Sequence, residues 1–257
     1  MFSGMLADGD NGGAISCKSS SITITLTSCS IINCNSTMNG GGVYVSGDSN
    51  TLTVDECLLK DCVTTSGESF PGGGGLYMIG STSSLAIHSS TFLRCKANVL
   101  DYGGGGFHTG YMKSVILSSS RILFCSTTNS GGGVYINQDT PVSYFNTLFI
   151  GNSAVVYGGA IRELSNVHSS VVHLKYLFFT TNTAAETYGY DLSVKPEISD
   201  SPFLHSFSTL PSNRVSIAIG TTSTYSQNNN WLPLGSLSYL NTPHETYSLH
   251  PRTISIL

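Results

Sequence analysis

Charge is scarce in this chain. Only 10% of the 257 residues are Asp, Glu, Lys or Arg, and 11 basic residues against 15 acidic ones give a formal net charge of −4. That balance excludes the strong positive field that attracts nucleic acid, so we expect no nucleic-acid partner. Long apolar runs are missing as well. Stretches such as "YLFF" at 176–179 are far shorter than the roughly 20 residues of a membrane-spanning helix, and we predict no transmembrane segment in this chain.

The sequence also lacks a helical pattern. No segment of useful length repeats its apolar residues at the 3.6-residue spacing of an amphipathic helix. The N-terminus "MFSGMLADGD" has neither the basic start nor the apolar core of a signal peptide. Glycine, in contrast, supplies 28 of 257 residues, and the apolar fraction of 40% can support a folded core. This composition favours an all-β protein rich in turns.

A repeat runs through most of the chain. An apolar residue is followed three positions later by Asn or Cys at intervals of 27 to 33 residues, counted from Phe2. A glycine cluster such as "NGGGVY" or "YGGAI" follows, and each repeat contains alternating segments such as "TLTVDEC". Alternation with period two indicates a strand that buries one face. The pairs are Ile31/Cys34, Leu59/Cys62, Phe92/Cys95, Ile122/Cys125, Phe149/Asn152 and Phe179/Asn182.

Units of this size cannot bury their apolar faces alone, so they must stack. A propeller blade needs about 40 residues and four strands, which is more than one unit provides. We therefore predict an all-β parallel β-helix of about six to seven rungs over residues 1–194. The segment 195–257, rich in Pro, Ser and Asn, is predicted to be an irregular C-terminal cap or linker with short strands at "RVSIAI" and "RTISIL". Trp231 is a candidate plug for the open end.

Stacking places equivalent residues of successive rungs in columns about 4.8 Å apart. We expect the glycine pairs to occupy sharp corners, with Gly159 at a positive φ that other residues resist. Seven cysteines are an odd number, which excludes a fully paired set. One column holds four of them, which could be buried free thiols or could form a disulfide such as Cys34–Cys62. These four are Cys34, Cys62, Cys95 and Cys125.

The residue between two inward positions after each glycine cluster must face outward. We predict that this column is an exposed stripe. It could be a flat platform for a glycan chain or an extended partner strand, because Tyr and Arg are enriched in binding hot spots. Aromatic stacking that only stabilises the sheet is the alternative. The candidate ligand-binding residues are Tyr44, Tyr77, His108, Tyr135 and Arg162, with Ser16 and Ser193 at the two ends.

The sequence indicates catalytic residues less clearly than it indicates the fold. Asp55, His88 and Ser118 follow one another in an outward column, but no oxyanion hole is indicated, so a surface pair is the simpler interpretation. Polysaccharide hydrolysis needs two carboxylates about 5–9.5 Å apart. Asp48 and Asp139 share a column but stand three rungs apart. The sequence contains no CxxC pair, so a zinc site is not indicated. We therefore predict no catalytic residue, no metal and no cofactor.

The two short motifs of the repeat carry a family resemblance. "FIGN" at 149–152 is followed by "GGAI" at 158–161, "NGGAI" stands at 11–15, and "FTTN" stands at 179–182. They resemble the FxxN and GGA[ILV] tetrapeptides of the polymorphic outer membrane protein (Pmp) repeats. In the other units Cys replaces Asn and a third Gly replaces Ala. The resemblance covers residues 1–194 and implies a right-handed, pectin-lyase-like parallel β-helix.

The resemblance also implies a role. Pmp-type repeats belong to extracellular or cell-surface proteins, usually with an adhesive role toward a host-cell or extracellular glycan or protein ligand. We accordingly expect a non-catalytic surface or secreted scaffold. Because the chain opens inside a rung, we expect it to be a fragment of a longer protein. The alternative function is a polysaccharide-active β-helix enzyme, either a lyase or a glycoside hydrolase.

Overall fold

Parallel strands stacked one turn above another make up the protein. The computed structural model describes residues 1–66, 72–137, 140–164, 172–184, 192–195, 207–209, 214–219 and 231–233, with side chains for 1–66, 72–137, 140–163 and 177–184. These residues contain 30 strands and no helix, so they include no helix that could cross a membrane. The predicted all-β parallel β-helix is confirmed.

Each turn runs through four strand stacks, which we call faces 1 to 4 in chain order. Face 1 consists of β4 (Thr23–Thr27), β8 (Thr51–Asp55), β13 (Ser84–His88), β18 (Ser114–Ser118), β22 (Val142–Phe145), β26 (Val172–Thr180) and β28 (Phe207–Thr209). Face 2 consists of β1 (Phe2–Ser3), β5 (Ser30–Ile32), β9 (Leu58–Lys60), β14 (Thr91–Leu93), β19 (Arg121–Leu123), β23 (Leu148–Ile150) and the second half of β26.

Face 3 is short and face 4 is the longest stack. Face 3 consists of β2 (Leu6–Ala7), β6 (Asn35–Ser36), β10 (Val63–Thr65), β15 (Lys96–Asn98), β20 (Ser126–Thr127) and β24 (Ser153–Ala154). A separate glycine pair is formed by β11 (Gly72–Gly73) and β16 (Gly103–Gly104). Face 4 consists of β3 (Ile15–Cys17), β7 (Val43–Ser46), β12 (Leu76–Ile79), β17 (Phe107–Gly110), β21 (Val134–Asn137), β25 (Ile161–Leu164), β27 (Leu192–Lys195), β29 (Arg214–Ile219) and β30 (Trp231–Pro233).

The number of turns is slightly smaller than expected. Five turns contain all four faces, from β4–β7 to β22–β25. A partial turn, β1–β3, precedes them, and β26 and β27 belong to another partial turn that follows them. The strand β29 then pairs in parallel with β27, whereas β30 pairs antiparallel with β29. Parallel pairing therefore extends past residue 195, and the boundary of the C-terminal segment stays a prediction. The Trp231 side chain and "RTISIL" lie outside the described residues.

The core consists of in-register columns of apolar side chains. In face 1, Leu52 pairs with Leu85, and Leu85 pairs with Val115. All three are at most 1% exposed. Because side chains alternate along a strand, a slip by one residue would carry a whole strand's apolar set to the outside. The alternating sequence therefore fixes the register of each turn against the next.

Two of the corners use left-handed backbone without requiring glycine. One residue with φ between 47° and 51° joins faces 1 and 2, and one with φ between 52° and 65° joins faces 2 and 3. L-residues avoid this region at a cost of roughly 1–2 kcal/mol each. The first corner is formed by Ser28, Glu56, Ser89, Ser119 and Asn146, and the second by Gly4, Asn33, Asp61, Arg94, Phe124, Gly151 and Thr181. The sequence analysis missed these corners because most of their residues are not glycine.

The glycine pairs serve two different purposes. The first glycine has positive φ in the clusters of two or three glycines, as at Gly158 (φ 61°) and Gly40 (φ 64°), whereas no glycine at 72–75 or 103–106 does. Gly159 itself is not among the positive-φ residues, so the expectation of a strained Gly159 is wrong by one position. The second glycine lies against the next turn: a Cβ on Gly132 would stand 2.2 Å from the Gly159 carbonyl oxygen. Glycine is needed there for close backbone approach.

Asn and Cys perform the same task at the corner between faces 2 and 3. The Asn152 Nδ2 donates to the Ile122 carbonyl of the preceding turn at 2.8 Å, and its Oδ1 accepts from the Cys125 amide at 3.0 Å. The Cys62 thiol is directed in the same way at the Ile31 carbonyl, at 3.5 Å. Cysteine thus supplies a weak donor where asparagine supplies a donor and an acceptor.

We predict that the glycine corners are more sensitive than their backbone angles alone imply. Gly4 (φ 65°) and Gly40 (φ 64°) have nearly the same conformation, but a Cβ on Gly4 meets nothing within 4 Å, whereas one on Gly40 lies 2.2 Å from the Val43 carbonyl oxygen. Gly4→Ala should therefore cost about 1 kcal/mol of unfolding free energy, and Gly40→Ala at least about 2 kcal/mol more, because the turn must shift. Urea unfolding of both variants measures the difference, and equal losses would contradict the close-approach assignment.

A second prediction concerns the corner ladder. Asn152→Ala should lower the unfolding free energy by about 2–3 kcal/mol, because it leaves the Ile122 carbonyl and the Cys125 amide without these partners in a fully buried site. Asn152→Cys introduces the residue that four earlier turns use, so it should cost less than the alanine change. Thermal unfolding of the two variants distinguishes them. A cysteine variant no more stable than the alanine variant would show that the thiol does not substitute for the amide.

Candidate functional site

The outward column of face 4 is buried, so the expectation of an exposed stripe is wrong. Only Tyr44 is half-buried and Ser16 exposed, both at the N-terminal end of the column. The Ser193 side chain lies outside the described residues. The buried members, with their exposed fractions, are Tyr77 (4%), His108 (1%), Tyr135 (1%) and Arg162 (4%).

The rings of this column form a continuous stack. Tyr44 and Tyr77 have ring centroids 5.5 Å apart with planes 7° from parallel. Tyr77 and His108 follow at 5.0 Å, and His108 and Tyr135 at 4.8 Å with planes 23° apart. Such pairs stabilise neighbouring strands by about 0.2–1 kcal/mol each. The aromatic ladder that sequence analysis kept as the alternative is therefore present.

Connections between faces 3 and 4 cover the column. The Tyr102 ring lies 5.6 Å from the Tyr135 ring, and the Tyr102 backbone hydrogen-bonds to His108. One loop further along, the Tyr157 ring lies 4.7 Å from the Arg162 guanidinium carbon. Sequence analysis missed this cover, although the repeated Tyr immediately before "GGGG" and "GGAI" was a usable signal. Binding by the column stays a prediction, and the accessible part of it is Tyr44.

Burial changes the acid–base properties of the column. Desolvation lowers the pKa of His108 to about 3, although its hydrogen bond with the Tyr102 backbone opposes the shift. The imidazole is therefore neutral at physiological pH. Desolvation also raises the pKa of the Tyr77 hydroxyl, with a smaller contribution from Tyr44. His108 and Tyr77 are thus uncharged members of the column.

A polar pair inside the solenoid is the second site that sequence analysis missed. Glu163 occupies the inward column of face 4 beside Ile136 and is 3% exposed. Tyr144 faces inward from face 1 and is 1% exposed. Within the described residues, neither Glu163 Oε2 nor the Tyr144 hydroxyl has a hydrogen-bond partner. Desolvation raises the pKa of Glu163 to about 8, partly offset by the Arg162 charge. Reading the column one rung past Ile136 would have revealed the glutamate.

The structure places His88 against Ser118. The His88 Nδ1 and the Ser118 Oγ are 2.6 Å apart, which is hydrogen-bond distance. His88 also pairs in register with Asp55, but no hydrogen bond joins their side chains among the described contacts. Both His88 and Ser118 are half-buried on the outer surface of face 1. A nucleophile would also need preorganised donors for an oxyanion, so the pair is a surface hydrogen bond.

All seven cysteines are free thiols. The column that holds Cys34, Cys62, Cys95 and Cys125 is fully buried. Desolvation raises the pKa of the Cys95 thiol well above its usual value. The Cys62 thiol shows the same direction, caused first by its hydrogen bond with Cys95 and then by burial. The thiolate is the reactive form, so these groups are chemically quiet. The buried free-thiol interpretation is confirmed, and a Cys34–Cys62 disulfide is not formed.

The carboxylates at the surface have structural partners. Asp61 accepts two hydrogen bonds from Arg94, at 2.7 and 2.8 Å, and this contact lowers the pKa of Asp61. Asp48 accepts from the amide and hydroxyl of Ser81 at 2.8 and 2.9 Å, and Asp139 lies outside the described residues. Within the described ranges, no group of three or more His, Cys, Asp or Glu side chains is arranged to hold a metal.

Comparison with known proteins adds no relative. No family model matches the chain, and no curated protein and no solved structure shows a match to it.

The two buried titratable groups predict opposite pH responses. The pKa of Glu163 rises from 4.5 to about 8 on folding, so the folded state holds the extra proton and stability falls as pH rises between these values. The pKa of His108 falls from 6.5 to about 3, so stability falls as pH drops through that range. Each group contributes a slope of at most about 1.4 kcal/mol per pH unit.

Unfolding free energy should therefore decrease from pH 6.5 to 8 in the wild type, and Glu163→Gln should remove that decrease. His108→Gln should instead make the decrease below pH 4.5 less steep, and the part that remains comes from carboxylates with a lowered pKa such as Asp61. Urea unfolding at a series of pH values measures both slopes. Tyr144→Phe serves as the control because it keeps the Glu163 carboxyl, and a Glu163→Gln variant with the wild-type slope would contradict the assignment.

Proposed function

We propose that this protein is a non-catalytic β-helix scaffold of the Pmp repeat type, right-handed and pectin-lyase-like, displayed at a cell surface or secreted, where it serves adhesion. One observation carries the proposal: the residues that match the Pmp tetrapeptides make the contacts between turns. Phe149 stacks on Phe179 at 5.1 Å, and Asn152 donates to Asn182 at 3.0 Å. The motif thus has a physical role that each turn of a solenoid needs.

The shape of the solenoid supports a binding role. Residues with the same position in each turn stand one turn apart along the outside, which produces long surfaces with a regular spacing of about 4.8 Å. Such surfaces suit an extended ligand more than a small molecule, which needs a concave pocket. At the N-terminal end of the aromatic column, Tyr44 is half-buried and Ser16 is exposed. We propose that this end contacts a host-cell or extracellular glycan or protein ligand.

The test combines location and binding. Antibodies against the folded protein should label intact cells that express its gene, or detect it in their medium. Labelled recombinant protein should bind target cells or a glycan array saturably. Tyr44→Ser should weaken that binding by about tenfold, or roughly 1.4 kcal/mol, while the lost stack on Tyr77 lowers the unfolding free energy by only about 0.2–1 kcal/mol, so that the protein stays folded. Val155→Ser, which changes an exposed residue of the loop before Gly158, is the control.

Two outcomes would contradict the proposal. Labelling only after cells are permeabilised would place the protein in the wrong compartment for adhesion. Steady turnover of a polysaccharide by the purified protein, abolished by changing a single carboxylate, would favour the enzyme instead.

A further inference from the structure

The outer surface of face 2 is apolar along its C-terminal half. Leu93, Leu123 and Ile150 are register partners in one outward column, and Leu148 and Phe178 are partners in the neighbouring one. All five are half-buried. The adjoining corner residue Phe124 is 54% exposed, and a Cβ on Gly151 would lie 2.4 Å from its ring. We call these six residues the apolar patch: Leu93, Leu123, Phe124, Leu148, Ile150 and Phe178.

The connections beside this face cannot cover it. In every complete turn, a corner of two residues flanks face 2 on each side, such as 119–120 before β19 and 124–125 after it. Two residues that turn a corner have no length left to fold over the strands. Face 4 differs, because the longer connections before it carry Tyr102 and Tyr157 onto its outer column. Among the described residues, the corners that flank face 2 therefore leave the apolar patch accessible.

The charges beside the patch are mainly positive. Lys60 stands one turn before Leu93 in the same column, Arg94 follows Leu93, and Arg121 stands one turn before Leu148. Two acids lie beside these cations: Asp61, which is paired with Arg94, and Glu56 in the corner before β9, which accepts from the Ser28 hydroxyl. Arg121 is exposed and forms no ion pair within the described part of the chain. The local excess of positive charge contrasts with the formal net charge of −4.

We propose that the apolar patch binds one amphipathic α-helix of a partner protein, with acidic residues on the helix facing Arg121. This proposal rests on the adhesive scaffold function and names the class of partner. Apolar residues on one helix face recur every 3 to 4 residues, a mean axial spacing of about 5.2 Å. The turns of the solenoid repeat at about 4.8 Å. A helix lying along the solenoid axis can therefore place one apolar side chain against each turn of the patch.

Other occupants fit less well. A partner strand cannot pair with face 2 here, because β14, β19 and β23 each already have a strand on both sides. A glycan would leave its hydroxyls against Leu and Ile side chains that cannot hydrogen-bond to them. A second copy would bring Arg121 and the other cations against themselves, which is unfavourable.

Peptide selection tests the proposal without assuming a partner sequence. Random peptides of about 18 residues, long enough for five helical turns, are displayed on phage and selected on the wild-type protein. The affinity of each selected peptide is then measured for the wild type and for the Leu123→Ser/Leu148→Ser variant. The control variant is Ile116→Ser/Phe145→Ser, because these residues are 38% and 36% exposed on face 1.

Selected peptides should show apolar residues at i, i+3 or i+4, and i+7, together with an excess of Asp and Glu. Their affinity should fall at least about tenfold in the patch variant and stay unchanged in the control. Arg121→Glu alters an exposed side chain with no ion pair in the described structure. It should fold normally, weaken acidic peptides and strengthen Lys-rich versions of them, which keeps the test valid if the double variant fails to fold.

Three results would overturn the proposal. The first is the selection of peptides that lack helical spacing, or whose affinity neither patch variant changes. A patch-dependent dimer in analytical ultracentrifugation would identify a second copy as the occupant. Patch-dependent binding to vesicles of phosphatidylserine and phosphatidylcholine would identify a lipid surface. Surface labelling of intact cells is independent of all three, so failure of this proposal is distinguishable from failure of the proposed function.

Discussion

Register between successive turns is the constraint on which the rest of the structure depends. Every strand of a complete turn pairs with its equivalent one turn away, so each side chain has a fixed neighbour above and below. The connections show where the chain tolerates variation. From face 1 to face 2 the step is always three residues, as from Asp55 to Leu58 and from His88 to Thr91. The longest interval between anchors, from Leu59 to Phe92, is accommodated between faces 3 and 4, where 66–71 separate β10 from β11.

The invariant corners carry a conformational cost that the stack must offset. Ten non-glycine residues occupy left-handed backbone at the two corners, at roughly 1–2 kcal/mol each. Each such residue is followed by a small polar residue or Cys that bonds along or between turns. Ser90, for example, donates to the His88 carbonyl at 2.7 Å and accepts from the Cys57 amide at 2.9 Å. A corner that is unfavourable by itself is thus held by contacts that exist only when the next turn is in place, which makes the turns depend on one another.

The sequence was sufficient for the parts of the fold that repeat and insufficient for those that do not. Period-two alternation and the recurring Asn or Cys predicted the inward columns, and the pairing of Leu52 with Leu85 and Val115 follows that prediction. The same rule correctly directed Tyr77 outward from the core. It failed on exposure, because loops of variable length, such as the one that places Tyr102 on Tyr135, cover part of the outer column, and no periodicity describes them. Glu163 was missed for another reason: an ionisable residue in an apolar column is an exception, and a column rule predicts the typical member.

The same asymmetry explains why the four faces differ as surfaces. Connections that vary in length flank face 4, and they can bring Tyr102 and Tyr157 onto its outer column. Connections fixed at two residues flank face 2, and the register rule that fixes them also keeps them short. An apolar outer surface on face 4 can therefore be satisfied within the chain, whereas that of face 2 cannot be covered by its own corners. Leu, Ile and Phe on face 2 gain from stacking on one another between turns, but their outer edges still contact water, and burying such edges is favourable at about 25 cal/mol per Å². Corners of fixed length therefore leave face 2 with an apolar outer surface that they cannot bury themselves.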